Sequence, residues 1–135
     1  MANALFDSYR SQALSADCDL DDSIVLVFVD HADDNPNVST DDFLDDIAAG
    51  GRVGTSGAFA SKTYTAGVFD AADVTVTSVS GDQFESIVIY NNTPGTEATK
   101  DLIAKIDTAT GLPTTPNGGD ITVAWDSGSN KIFKL

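Results

Sequence analysis

Apolar residues in this chain fall into short bursts separated by polar turns, and the bursts change period along its length. Residues 3–14 place Leu5, Phe6, Tyr9, Ala13 and Leu14 near one helical stripe without an intervening Gly or Pro, which predicts a short amphipathic helix. Asp17 to Asp22 reads as an acidic loop. Ile24–Val29 is apolar at every position and rich in β-branched residues, the pattern of a strand covered on both faces. A polar loop with Asn35-Pro36-Asn37 at its centre follows. Ser39 and Asp42 have capping-box spacing. Phe43, Leu44 and Ile47 supply an apolar stripe, and Gly50-Gly51 ends it, so a second short helix is expected near residues 39–49.

From residue 52 the period becomes two. Candidate strands are 62–69, 74–79, 85–90, 102–107, 121–126 and 131–135. Val74 and Val76 alternate with Thr75 and Thr77. Ile121, Val123 and Trp125 alternate with Thr122 and Ala124, which places Trp125 with the core. Turn chemistry falls at Ser80-Gly81-Asp82, Pro94-Gly95, Asn117-Gly118-Gly119 and Asp126 to Asn130. Short strands with frequent turns predict a mainly-β fold, an antiparallel sandwich or barrel-like domain with a short N-terminal helix. Neither an internal repeat nor a linker divides the chain, so residues 1–135 are expected to form one domain, with 1–16 a candidate helical arm.

Composition narrows the class. An apolar fraction of 41% over 135 residues supports a core without covalent staples. The longest apolar run, Ile24–Val29, is far shorter than the roughly 20 residues of a membrane-spanning helix. The first residues lack the basic and apolar regions of a secretory signal, so folding in a cytoplasm is expected. Cys18 is the single cysteine, which rules out an internal disulfide.

Net charge is −14 and repels polyphosphate, so no nucleic-acid partner is expected, and no membrane partner either. Eleven Asp residues and no Lys or Arg lie between Arg10 and Arg52. Such a block is ordinarily a solvated face, or else it meets a basic partner.

Catalytic, cofactor and metal signals are poor. His31, the single histidine, lies in a polar loop, and no serine carries a nucleophile-elbow pattern. One His and one Cys are too few for a zinc site. Gly50-Gly51-Arg52-Val53-Gly54 lacks the lysine of a phosphate loop. Asp17, Asp19 and Asp21 have the first spacings of a calcium loop, but Asp22 and Phe28 occupy the positions that need Gly and Glu. An irregular calcium site in these loops stays an alternative to plain surface carboxylates. Glu85 and Glu97 read as edge or turn charges. No catalytic, cofactor-binding or metal-ligating residue is therefore expected.

Several segments carry a likeness: Ala4–Arg10, Ser39–Ile47, Gly67–Val74, Ile87–Tyr90, Ile106–Thr122 and Lys131–Leu135. Over nearly its whole length the chain resembles a family of small virion structural proteins of tailed bacteriophages. That resemblance implies a non-enzymatic role, assembly into a particle and folding in a bacterial host. Its partners would be the major capsid protein or other virion proteins, and it would form a homo-oligomer. Acidity favours an outward-facing capsid decoration (cement) protein over one that meets packaged DNA. A tail, neck or fibre position is an alternative. So is a carbohydrate-binding β-sandwich using Trp125, Tyr90 and Tyr64.

Candidate contact residues are Leu5, Phe6 and Tyr9 of the N-terminal segment and Ile132, Phe133 and Leu135 of the last. The terminal segment could add a strand to a neighbour, although its simpler place is the last strand of its own sandwich. The helix likewise either packs on its own domain or anchors the protein elsewhere.

Overall fold

The computed structural model describes residues 3–93 and 95–135 and is mainly β, as the pattern predicts. Nine strands and one helix follow in chain order: β1 (Ala4–Leu5), α1 (Asp7–Ser15), β2 (Ile24–Val29), β3 (Arg52–Thr55), β4 (Val68–Phe69), β5 (Val74–Val76), β6 (Ser86–Asn91), β7 (Leu102–Ile106), β8 (Ile121–Val123) and β9 (Phe133–Lys134). A five-stranded antiparallel sheet, in the order β1-β7-β6-β2-β3, forms the centre. β4 with β9 and β5 with β8 make two separate two-stranded ribbons.

β2 and β6 lie inside the sheet and are buried at every residue. Directly opposed residues share a face. Leu26, Ile89 and Ala104 therefore line one face with Phe28, Ile87 and Ile106, while Val27, Val88 and Lys105 line the other. Over the first face, Phe28 stacks on Phe84 at 4.2 Å. Gly54, opposite Phe28, lets the β5 layer close in: a Cβ there would meet Val79, Phe28 and Val76 at 3.4–3.5 Å. Over the second face runs the segment after β2, whose Asn35 and Pro36 meet the Lys105 side chain. β2 is thus covered on both sides, as its unbroken apolar run predicts.

Other expectations need correction. The helix expected over 3–14 begins at Asp7, because Ala4 and Leu5 pair with Lys105 and Ala104 and Phe6 stays extended, its N–H donating to the Ile103 carbonyl. Phe6 and Tyr9 are buried, so residues 1–16 are no free arm over their described part. Leu14, expected on the buried stripe, is 92% exposed.

The helix expected near 39–49 is two 3-10 turns, Leu44–Asp46 and Ala49–Gly51. No Ser39–Asp42 box forms. The Ser39 N–H goes to Asn37 Oδ1, and the Asp46 carboxylate takes the N–H groups of Asp42 and Phe43. Short acidic and amide side chains compete here with helical backbone bonds.

The strand expected over 62–69 shrinks to β4, preceded by a 3-10 turn at Thr65–Gly67 in which Ala66 is left-handed. Strands 74–79, 121–126 and 131–135 shorten to β5, β8 and β9. β3 was hidden in the glycine-rich stretch after Gly50. Turns at Gly81 and Gly118 have the positive φ expected of glycine. Of the Pro94-Gly95 turn, Pro94 lies outside the described residues. Among those residues no helix is long and apolar enough to cross a membrane.

Candidate functional site

The two ends of β2 carry different surfaces. At its C-terminal end a cavity of about 280 Å³ is lined by His31, Asn35, Glu85, Asp107, Leu112 and Pro113. These residues come from just beyond β2, just before β6 and just after β7, so strand pairing brings them together. Glu85 accepts the backbone N–H of His31 at 2.8 Å, a fixed role that its reading as an edge charge missed. His31 is half-buried, and its Nε2 is shut from solvent without a partner. Burial, with Lys105 adding to it, holds the imidazole below its ordinary pKa against the pull of Glu85, Asp107 and Asp30.

Behind this cavity Lys105 Nζ donates to Asn35 Oδ1 at 2.6 Å and to the Pro36 carbonyl at 2.8 Å, with Asp107 Oδ2 at 3.9 Å. Nearby, Asp30, Asp33 and Asp82 bring carboxylate oxygens within 4.8 Å of one another, and only Asp30 is buried. They are the one group of potential metal-ligating side chains among the described residues to gather so closely. Exposed carboxylates of an acidic protein gather in this way without an ion. Asp17, Asp19 and Asp21, the three with calcium-loop spacing, do not converge. Asp17 accepts from Ser15, Asp19 from the Asp21 N–H, and Asp21 from Tyr64.

At the N-terminal end of β2 apolar side chains face outward beside acidic ones. A groove of about 300 Å³ is lined by Tyr9, Ala13, Cys18, Leu20, Tyr64 and Leu135, with Ala16, Asp19 and Asp21 completing it. Its floor is held by Lys62, whose Nζ donates to the carbonyls of Leu20, Asp21 and Asp22, and by Tyr64, whose hydroxyl donates to Leu20 and Asp21. Tyr64 and Leu135 stay 41% and 60% exposed. Burial, then the charge of Asp101, pushes the Cys18 thiol up to about 11. It is therefore a thiol and not a thiolate at neutral pH.

The candidate contact residues divide. Phe6 and Tyr9 are core, and Tyr9 meets Phe133 edge-on at 5.8 Å. Leu5, Ile132 and Phe133 are partly buried against the core. β9 already pairs with β4, flanked by bonds from Ile132 to Phe69 and from Leu135 to Gly67, so it is a strand of its own domain. Leu135 alone of the six stands well exposed.

Trp125 is half-buried, its ring 5.4 Å from Phe59 and its Nε1 donating to the Ala72 carbonyl. Tyr90 is buried in β6 and Tyr64 stacks on Phe69. The three rings therefore make no common exposed stacking face. No protein-family model matches the chain, and no curated protein matches it.

Proposed function

We propose that this chain is a non-enzymatic structural protein of a tailed-phage particle. It decorates the outer face of the capsid shell and binds major capsid subunits, as an oligomer. The observation that carries this reading is the groove at the N-terminal end of β2. There a protein of net charge −14 turns Tyr64 and Leu135 outward beside Ala13 and Leu20. Exposed apolar surface rimmed by charge is the usual form of a protein contact. Asp19 and Asp21 on its rim suit a basic margin on the partner. Packaged DNA repels such a molecule, which favours the outside of the shell. The segmental likeness to small phage structural proteins adds the particle itself.

One groove is small against the roughly 800 Å² per partner of a stable interface. Holding therefore depends on a wider patch around the groove and on many copies acting together.

The test is copy number per virion, by quantitative mass spectrometry against the major capsid protein, with binding of purified protein to expanded shells. Copies comparable to the shell protein, and binding weakened by Leu135→Asp, are expected. A small count set by a vertex, neck or tail ring would move the protein there. Absence from the particle would overturn the reading.

A further inference from the structure

β7 carries a lysine on a face that its register buries. Lys105 lies opposite Val88, which lies opposite Val27, and it is 2% exposed. A lysine is almost never this buried unless paired, and ordinarily its stem carries the amine out to water. Here the amine turns to Asn35, whose Oδ1 is 2.6 Å away. With a C=O bond of about 1.23 Å, Nζ lies no more than about 3.8 Å from the side-chain carbonyl carbon of Asn35. Reacting atoms poised for attack sit about 3–3.5 Å apart. The Asp107 side chain is 6% exposed and places Oδ2 3.9 Å from the same amine. A nucleophile, an acyl carbon and a proton carrier thus meet, with the Lys105 and Asp107 side chains shut from water and Asn35 at the exposed edge.

From this juxtaposition we propose that Lys105 and Asn35 join spontaneously in an intramolecular isopeptide bond, with Asp107 carrying the proton. Asp107 takes a proton from the Lys105 ammonium and leaves a neutral amine. Its lone pair attacks Asn35 Cγ, while the protonated Asp107 supports the charge growing on Oδ1. Collapse of the tetrahedral centre breaks the Cγ–Nδ2 bond, and Nδ2 leaves as ammonia with the amine's protons. An ammonium and a primary amide become a secondary amide and an ammonium ion, with Asp107 regenerated, so no oxidant or co-reactant is needed.

Three features favour the step. Burial holds Lys105 below the ordinary lysine range, against Asp107 and Asp41, which favours the nucleophilic amine. Asn35 and Asp107 line the 280 Å³ cavity, which gives the ammonia a way out. Asparagine ordinarily loses ammonia when the next backbone N–H attacks its side chain. Pro36 has no N–H, so that route is closed. The bond would tie the segment that covers the sheet to β7, across 70 residues of sequence.

Intact mass under denaturing conditions tests this on the full chain, with Lys105→Arg and Asp107→Asn beside it. The wild type is expected about 17 Da below the mass of its sequence, the loss of one ammonia. Both variants are expected at full mass. Digestion should release one branched peptide joining the segments of Asn35 and Lys105. The wild-type measurement does not depend on whether a variant folds. A wild-type chain at full mass after prolonged incubation overturns the proposal. So does a mass deficit without the branched peptide, which would place the lost ammonia at another amide.

Discussion

The two ends of β2 stand about 20 Å apart, the length of a six-residue strand, and they treat polar groups in opposite ways. At the C-terminal end, charge is drawn inward: the Lys105 and Asp107 side chains are buried, with Asn35, Glu85 and His31 beside them. At the N-terminal end, apolar surface is left outward on Tyr64 and Leu135. Burying an ion costs several kcal/mol unless its partners compensate. Leaving a leucine in water forgoes about 1.5–3 kcal/mol of burial. The first end stores its interactions inside one chain. The second, on the function proposed above, holds them open for another. Stability and partner binding should therefore respond to mutations at different ends.

The sharpest break in that comparison is Lys105→Met. The methionine fills similar space but takes away the amine, and with it the polar contacts to Asn35 Oδ1, the Pro36 carbonyl and Asp107 as well as the link to Asn35 proposed above. A loss of about 3–5 kcal/mol in urea unfolding is expected. Shell binding by the fraction that stays folded should be unchanged. A variant as stable as wild type would mean that water reaches this end.

Phe6→Ala follows. Phe6 is fully buried between the two corrected N-terminal elements. Truncation should cost about 3–5 kcal/mol, as for a core phenylalanine. An N-terminal segment that acted only as an arm would show almost no change in the denaturant midpoint.

How far the sequence spoke for itself also differs between regions. β2 was legible because an unbroken apolar run has one comfortable place, inside a sheet covered on both faces, and β6 and β7 were legible as short β-branched segments bounded by turns. The ribbons were legible in position but not in length. Just beyond their ends short acidic side chains take the backbone N–H groups, as Asp120 takes that of Ser78 and Asp73 that of Trp125, instead of the ladder extending. β1 and β3 were not legible. Two residues carry no period, and Gly54 in β3 reads as a loop until Val76 and Val79 are seen above it.

The polar end had one signal that went unread: a lysine in the middle of Leu102-Ile103-Ala104-Lys105-Ile106, at a position whose neighbours in register are buried. The groove was half legible. Leu135 and Tyr64 were singled out, but for different roles, and their meeting with Leu20 depends on Lys62 binding three carbonyls.

Acid should act on the polar end first. The His31 imidazole is held below its ordinary value of 6.5 by burial, so the folded state disfavours the imidazolium that the unfolded chain accepts freely. The unfolded chain then binds more protons over this window, and stability rises with pH there. His31's contribution is complete above about 6.5 and falls away as pH drops toward the lower folded value. His31→Gln cannot titrate. The difference in Tm between wild type and variant should therefore shift in the variant's favour on acidification from pH 7 to pH 5. A difference independent of pH would show that His31 is no more burdened when folded than when unfolded.

The smallest expected change in stability belongs to the apolar end. Leu135→Ser removes a side chain that is 60% exposed, and its backbone bond to Gly67 survives the exchange. Unfolding free energy should move by no more than about 0.5 kcal/mol, the range of surface substitutions that break no buried contact. Shell binding should weaken clearly, and more so in combination with Tyr64→Ser, because both side chains line one groove and neighbouring sites are not additive. Tyr64 also anchors the 20–22 loop through its hydroxyl, so its own effect mixes folding with contact. Leu135 is the cleaner probe for that reason: it has exposed area to lose and little structure to lose with it. Normal shell binding by Leu135→Ser would remove the groove from the interface and with it the distinction between an inward-looking end and an outward-looking one.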